Sequence, residues 1–174
     1  GTVGIKSDEG RPLEITTYRT EHGYNDSRHP DKVAWGKSLQ EDLARRDFTI
    51  NAMALTVGME IIDPFGGQQD VKDKLIRAVG DANQRFGEDA LRMMRAIRIA
   101  AQLGFTIETA TLQAIQAQAN TIEQVSAERI RDELFKLLAS NYPADGYRLL
   151  RSSGLVEQIL PEMEKTFGVE KKSP

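Results

Sequence analysis

The chain has 174 residues, 40% of them apolar and 28% charged, enough to bury a sizeable core in one domain or in two small ones. It contains no cysteine and two histidines, which excludes disulfides and thiolate metal sites and leaves a hard, oxygen-bound ion such as magnesium as the metal to expect. A net charge of −3 argues against a strongly basic nucleic-acid coat, and without a long apolar run or a leader-like start the chain is expected in the cytoplasm.

The first residues predict a β-hairpin. Residues 2–6 and 13–19 alternate apolar and polar positions on either side of a turn-rich cluster. This alternation places Glu14 on the face opposite Leu13 and Ile15. Because the chain opens on glycine rather than methionine, in what resembles the middle of a sheet, we expect it to be a fragment of a longer protein.

Residues 20–31 predict a long surface loop. They are polar, contain a glycine and a proline, and show no period. Loops of this length in a compact domain are often functional and mobile, and this one mixes tyrosine, arginine and histidine. The alternative is a plain connector.

Short elements follow the loop. A helix is predicted over 38–46, with Ser38 as its cap, and a buried strand after Asn51 that turns near Gly58. Residues 63–67 break the chain, because proline forces its predecessor into an extended conformation and the two glycines permit positive φ. A short helix at 71–75 and a last strand at 76–79 complete this half.

Helices alone are predicted beyond residue 80. They cover 81–103, stopped by Gly104; 109–119, capped by Thr109; 126–139, capped by Ser126, with Leu134, Leu137 and Leu138 facing inward; and a last helix from Pro143 to Gly154. The predicted fold class is therefore α/β over a first domain at 1–80, followed by an all-α part at 81–174.

The first of these helices has two distinct faces at 100° per residue. One face is apolar and is expected to pack inward: Ala90, Met94, Ile97 and Ala101. The other carries an acid and three arginines at intervals of three residues: Asp89, Arg92, Arg95 and Arg98. The alternative is an ordinary charged face on which Glu88 and Asp89 pair with Arg92 and Arg95.

The acid and the first arginine can read a nucleobase. Adenine and cytosine both present an amino donor beside a ring-nitrogen acceptor, whereas guanine and uracil present the reverse order. An aspartate that accepts from the amino group and an arginine that donates to the ring nitrogen would take A and C and reject G and U. Asp89 and Arg92 form such a pair, which leaves Arg95 and Arg98 for phosphate oxygens.

A second candidate site is Arg45-Arg46-Asp47, where a helix gives way to a strand. Two adjacent arginines beside an acid suit an anionic ligand held by one guanidinium while the acid orients the other. Asn51 could hydrogen-bond a ribose hydroxyl. The alternative is a charge pair at a helix C-terminus, favoured by the helix dipole.

Three motifs in order carry a family resemblance: Arg-Arg-Asp-Phe-Thr-Ile-Asn-Ala from residue 45, Asp-Pro-Phe-Gly-Gly from 63, and Glu-Asp-Ala-Leu-Arg-Met-Met-Arg-Ala-Ile-Arg from 88. Together they closely resemble the class II tRNA nucleotidyltransferase and bacterial poly(A) polymerase family. The resemblance implies the end of a nucleotidyltransferase head, then a helical neck and the start of a body. It also implies a template-independent enzyme that adds CMP, CMP and AMP to tRNA 3′ ends from CTP and ATP, with Mg²⁺.

The resemblance also implies residue roles. Arg46 and Asp47 would contact the phosphates and sugar of the nucleotide, and 63–67 would be the hinge between head and neck. Asp89 and Arg92 would be the amino-acid template, completed by Arg95 and Arg98, and a motif at 126–133 would brace the neck. The loop at 20–31 resembles the flexible loop associated with the final A addition, with Tyr24, Asp26 and Arg28 as its candidate residues.

One departure from the family is important. The family holds its metals on an Asp-x-Asp pair, and this chain contains none. Phosphoryl transfer of this type relies on two metals, so the chain by itself is expected to bind without catalysing. Glu14 is a tentative additional acid, with a solvent-facing strand glutamate as the alternative. The open alternatives for function are a poly(A) polymerase and a non-catalytic nucleotide- or RNA-binding module.

Overall fold

The computed structural model describes residues 2–6, 12–22, 32–35, 38–165 and 168. Two antiparallel hairpins open this part of the chain: β1 (Thr2–Lys6) pairs with β2 (Pro12–Thr16), and β3 (Arg19–His22) pairs with β4 (Lys32–Trp35). The first hairpin confirms the prediction, although β2 ends at Thr16. Residues 20–22, predicted as the start of the long loop, belong to a strand. Tyr24, Asp26 and Arg28 lie outside the described residues.

The first hairpin separates its apolar and polar positions as predicted. Val3 faces Ile15 and Ile5 faces Leu13 in the register, so these four share one side, and all four are exposed. Glu14 lies opposite Gly4 on the other side and is also exposed.

The helix predicted after the loop is confirmed as α1 (Leu39–Ala44). The Oγ of Ser38 accepts a hydrogen bond from the backbone N–H of Glu41 at 3.2 Å, which caps the helix as expected. A 3-10 helix (Thr49–Asn51) follows, and its first residue is buried.

The buried strand predicted after Asn51 is wrong. The segment forms a small hairpin of two-residue strands, β5 (Ala54–Leu55) and β6 (Ile61–Ile62), whose side chains are largely exposed. The tip turns where predicted, but the residue with positive φ is Met59 rather than Gly58. An apolar run is therefore no proof of burial, because burial depends on what packs against it.

The break at 63–67 leads directly into a helix, α2 (Gly67–Asp73), four residues earlier than predicted. The carboxylate of Asp63 accepts from the backbone N–H groups of Gly67 at 2.7 Å and Gln68 at 2.9 Å, which caps the first turn. Gly66 has φ of 77°, whereas Gly67 is needed for space, because a Cβ there would overlap the carbonyl of Thr49. The strand predicted next shortens to β7 (Leu75–Ile76).

The single helix predicted over 81–103 is wrong, since the chain forms α3 (Ala82–Glu88) and α4 (Leu91–Leu103). Asp89 interrupts them in an extended conformation, with φ of −153° and ψ of 105°. Gly104 ends α4 in the left-handed region, as expected. The four residues predicted to face inward on this segment are buried: Ala90, Met94, Ile97 and Ala101.

A strand, β8 (Thr106–Ile107), corrects the prediction of helices alone beyond residue 80. It pairs in parallel with β7, a contact between segments 31 residues apart that periodicity does not reveal. The later helices are α5 (Thr109–Gln118), α6 (Ala127–Leu138), α7 (Pro143–Ser152), α8 (Leu155–Ile159) and α9 (Pro161–Glu164), with a 3-10 helix (Ala119–Gln124) after α5.

Details of these helices differ from the prediction. Thr109 is the first residue of α5 rather than its cap, and Ser126 stands at the cap position of α6 without a side-chain capping bond. Leu137 is buried and Leu134 packs against the core, but Leu138 is exposed. Leu138 was therefore assigned to the wrong face.

One apolar core joins the α/β part to the helices. Phe48, just after α1, is fully buried in the same cluster as Phe86 of α3 and Met93 of α4. The fold class, short strands and helices followed by a helical part, is confirmed. Within the described residues, no helix combines the length and the apolar composition required to span a bilayer.

Candidate functional site

Charged and polar side chains from four segments converge on a cavity of about 460 Å³. The segments are the end of α1, the 3-10 helix after it, the start of α4 and the start of α6. The wall carries five arginines and two aspartates, a net charge of +3, which suits an anionic ligand. Its lining residues are Arg45, Arg46, Asp47, Asn51, Asp89, Leu91, Arg92, Arg95 and Arg129.

The cavity brings together seven of the eight nucleotide-binding residues predicted from the sequence, and Arg98 is the exception. It also includes Arg129, which the sequence placed only in a bracing motif. No local pattern could have identified Arg129, since its position depends on α6 packing against α4. The binding role of these residues remains a prediction.

Asp89 is held from two sides at the cavity wall. Its Oδ1 accepts from the backbone N–H of Leu91 at 3.1 Å, at the start of α4. Its Oδ2 accepts from Nη2 of Arg129 at 2.7 Å. The carboxylate is therefore fixed in orientation, and because each carboxylate oxygen offers two lone pairs, it can still accept from an incoming donor.

Arg92 is oriented by contacts with Glu88 and with the backbone of Arg45. Its Nη1 donates to Oε2 of Glu88 at 2.7 Å, and its Nη2 reaches the carbonyl oxygen of Arg45 at 3.4 Å. The Glu88–Arg92 pair belongs to the alternative of an ordinary charged face. Both side chains are mostly buried, however, so the solvated face of that alternative is not what forms.

Asp47 and Arg95 tie α4 to the segment after α1. The guanidinium of Arg95 donates to Oδ2 of Asp47 through Nη2 at 2.6 Å and through Nε at 2.9 Å. The other oxygen, Oδ1, accepts from Asn51 Nδ2 at 3.1 Å and from the backbone N–H of Phe48 at 2.9 Å. Burial by itself would raise the pKa of Asp47, but the charge of Arg95 and these hydrogen bonds outweigh it and hold the pKa below its ordinary value. The alternative pairing of Arg95 with Glu88 or Asp89 is replaced by this long-range pair.

The adjacent arginines Arg45 and Arg46 are both held by Asp42 of α1. Arg45 donates to Oδ1 of Asp42 through Nη2 at 2.6 Å and Nε at 3.1 Å, and Arg46 donates to Oδ2 through Nη2 at 3.2 Å. The orienting acid predicted from the sequence was Asp47. In the structure Asp47 pairs with Arg95 instead, and the acid that contacts both arginines is Asp42.

Arg98 does not line this cavity, unlike the other seven residues predicted to bind the nucleotide. Its Nε donates to Oε2 of Glu133 on α6 at 2.6 Å, and its Nη1 donates to Oε1 of Gln102 at 2.5 Å. Lys136 donates to the other oxygen of Glu133 at 3.1 Å. The pair locks α6 against α4, which agrees with the bracing role that the resemblance implied for the segment containing Glu133.

The substitution Glu133→Gln is expected to destabilise the protein by about 2 kcal/mol at pH 7, because it removes a buried charge-assisted bond to Arg98. Burial raises the pKa of Glu133, but the bonds from Arg98 and Lys136 outweigh burial and hold the pKa below its ordinary value of 4.5. A depressed pKa stabilises the folded state above pH 4.5, and this contribution is lost as the pH falls through the folded-state value. Urea unfolding of both proteins at pH 7 and in steps below pH 4.5 should show the difference shrinking. A difference that persists unchanged into acid would contradict this assignment.

Magnesium does not fit the acids of this cavity. Asp47 is engaged by Arg95 and Asp89 by Arg129, and among the described residues no group of three acids or histidines could hold an ion. Glu14 is exposed on β2, and the structure places it in no such group. No chemical step is therefore assigned to a metal held by these residues.

A larger cavity, about 690 Å³, lies at the other end of α4. Its wall is mostly apolar, and its charged lining residues, Asp145 and Arg148, pair with each other at 2.6 Å. The smaller cavity is the better candidate site because several arginines converge on it, whereas the charges of the larger one already neutralise each other.

Two family models match the chain. The Poly A polymerase head domain matches residues 1–77, and the probable RNA and SrmB-binding site of polymerase A matches residues 104–167. The first match contains the Arg45-Arg46-Asp47 segment, and the second contains α6 with Arg129.

Known proteins give the same family. The CCA-adding enzyme of Limosilactobacillus reuteri is 52% identical over 94% of this chain and 40% of its own length, and that of Geobacillus thermodenitrificans is 49% identical over 89% and 38%. The crystal structure of the Bacillus stearothermophilus CCA-adding enzyme in complex with CTP has a TM-score of 0.80 and 43% identity, covering 89% of this chain and 37% of that one. The chain thus spans about two fifths of the length of the curated relatives it matches. It belongs to the tRNA nucleotidyltransferase and bacterial poly(A) polymerase family.

Proposed function

We propose that this chain forms the nucleotide-selecting part of a template-independent RNA nucleotidyltransferase, which adds CMP, CMP and AMP to tRNA 3′ ends from CTP and ATP in the cytoplasm. The observation that carries the proposal is that Asp89 and Arg92 line one positively charged cavity. The names of the relatives and the CTP complex of the Bacillus stearothermophilus enzyme support it. We further propose that head and neck meet near residue 80.

The pair Asp89 and Arg92 would select the base. The carboxylate would accept from the exocyclic amino group, and the guanidinium would donate to the adjacent ring nitrogen. Cytosine and adenine both match this order of donor and acceptor, and guanine and uracil do not. Arg129 supports the selection by fixing the carboxylate from α6.

The remaining cations would bind the phosphates. Arg45 and Arg46 line the cavity with partly exposed side chains, and Arg95 adds charge from α4. Asn51 sits beside Asp47 at the sugar end of the proposed site. These assignments follow from charge and position around the cavity, with the base placed at Asp89.

Magnesium belongs to this proposal as a metal held outside the cavity described above. When bound, it would activate the attacking 3′ hydroxyl and neutralise the leaving pyrophosphate. We propose that the ligands lie in a segment of the full-length protein beyond this chain. The task of the described residues is to bind and orient the nucleotide.

The test is incorporation of labelled nucleotides onto tRNA trimmed of its 3′ end, using the full-length protein that carries this chain. The proposal expects two additions with CTP alone, a third when ATP is also present, and none with GTP or UTP. The head-domain match favours a poly(A) polymerase as the second candidate, which would add repeated AMP from ATP alone. Nucleotide binding without any incorporation would instead indicate a non-catalytic binding module and overturn the proposal.

A further inference from the structure

Asp42 is a buried acid that none of the roles above uses. It lies in α1 with 3% of its surface exposed, one turn before the arginines of the cavity wall. Its side chain accepts hydrogen bonds from both arginines, through Nε and Nη2 of Arg45 and through Nη2 of Arg46. A buried carboxylate therefore holds two cations whose side chains remain 28% and 41% exposed.

The spacing explains why one acid reaches both arginines. Residues three and four positions after an acid lie on the same side of a helix, so Arg45 and Arg46 both return to Asp42 at the end of α1. An exposed pair of this kind contributes little. Here the acid is buried while the cations face the cavity, so the contact restrains the groups that a ligand would meet.

Arg46 is held at a second point, since its Nη1 donates to the carbonyl oxygen of Asn51 at 3.0 Å. The two anchors fix its guanidinium between α1 and the 3-10 helix. Adjacent cations repel each other, and long arginine side chains lose entropy when a ligand orders them. A shared buried anion offsets the repulsion and orders both side chains before the ligand arrives.

We propose that Asp42 is a positioning residue, which preorganises Arg45 and Arg46 for the phosphates of the incoming nucleotide. The inference rests on the proposed nucleotide site and adds to it a residue that does not line the cavity. In this proposal Asp42 acts on the ligand through the two arginines that it holds. Loss of Asp42 should therefore weaken the binding of nucleotides with three phosphates much more than the binding of nucleotides with one.

The test compares CTP and CMP binding by calorimetry in the full-length protein and its Asp42→Asn variant. Asparagine keeps the size and one acceptor oxygen but loses the charge. We expect CTP affinity to fall on the order of tenfold, because a charge-assisted anchor is lost, and CMP affinity to fall less than about threefold. In a variant that already carries Arg45→Ala and Arg46→Ala, Asp42→Asn should have no further effect on CTP affinity, since the two side chains that Asp42 positions are gone.

The matched control is Asp70→Asn. Asp70 is buried to the same extent and pairs with Arg77, but it does not line the cavity. The Asp70→Asn variant should be less stable but should show the same ratio of CTP affinity to CMP affinity as the wild-type protein. Should Asp42→Asn fail to fold, Asp42→Glu retains the charge on a longer arm, shifts both guanidiniums and should give the same CTP-selective loss.

The outcomes separate this inference from the function on which it rests. If the unmodified protein shows no preference for CTP and ATP over GTP and UTP, the proposed function fails. Two results would overturn the positioning role of Asp42 if that preference is present. One is that Asp42→Asn leaves the ratio of CTP affinity to CMP affinity unchanged. The other is that Asp42→Asn still lowers CTP affinity in the protein that lacks both arginines.

Discussion

Replacing Arg92 with alanine is expected to weaken binding of both CTP and ATP by about 1–3 kcal/mol, the usual value of a bidentate base contact. Because the proposed contact is to a ring nitrogen that both bases share, the two nucleotides should lose similar free energy. GTP and UTP, which present the reverse order of donor and acceptor, should change little. The difference in affinity between CTP and ATP on one side and GTP and UTP on the other should therefore become smaller.

The fold should survive this change. Glu88 loses one partner in the Arg92→Ala variant but keeps Arg85, whose Nη2 lies 2.7 Å from Oε1. The acid is therefore not left as an unpaired buried charge, which would cost much more. Thermal melting of the variant should show only a modest shift.

Calorimetry with the four nucleotides on the intact enzyme measures the effect. The control is Arg148→Ala, which breaks an exposed pair with Asp145 at 2.6 Å, far along the chain from the cavity wall. This control should bind CTP and ATP as the unmodified protein does. Unchanged affinity of the Arg92→Ala variant for both nucleotides would remove Arg92 from the base-reading site.

Gly67→Ala is expected to destabilise the folded protein by about 3 kcal/mol, at the upper end of what overpacking costs. A Cβ at this position would overlap the carbonyl oxygen of Thr49 and stand 2.8 Å from its carbonyl carbon. Both are backbone atoms, so no side-chain rotation relieves the clash. Either α2 or the 3-10 helix must move, and the second of these carries Asn51 to the cavity.

Gly87→Ala is the matched control, because a Cβ on Gly87 meets nothing within 4 Å. Gly87 is the next-to-last residue of α3, where alanine should stabilise the protein by up to about 0.5 kcal/mol through its better helix propensity. Urea unfolding of the two variants should therefore shift in opposite directions. Equal shifts, or a stable Gly67→Ala variant, would mean that the close approach of α2 to Thr49 is not required.

Local chemistry in the sequence predicted many element boundaries. Ser38 caps α1 as expected, Gly104 ends α4, and Pro143 begins α7, since each feature acts within one turn of the chain. The apolar residues between 50 and 62 gave a wrong prediction of a buried strand, because an apolar run is buried only when another layer of the structure covers it. The hairpin there is largely exposed.

The break at Asp89 shows why one helix was predicted where two occur. Good helix formers and the absence of proline favour a continuous helix. Asp89 instead accepts from the N–H of Leu91 and from Arg129, contacts that an extended aspartate makes and a mid-helix one does not. Asp89 and Arg92, the proposed base-reading pair, both line the cavity although Asp89 lies outside the helix.

The sequence by itself determined the family to which these motifs belong, and it predicted a carboxylate and a guanidinium that read a base and cations that bind phosphates. Only the tertiary structure decided which charges meet. It moved Arg98 to Glu133, brought Arg129 to Asp89 and paired Arg95 with Asp47. The physical reason is that ion pairs between distant segments depend on how helices pack against one another, which local spacing does not encode.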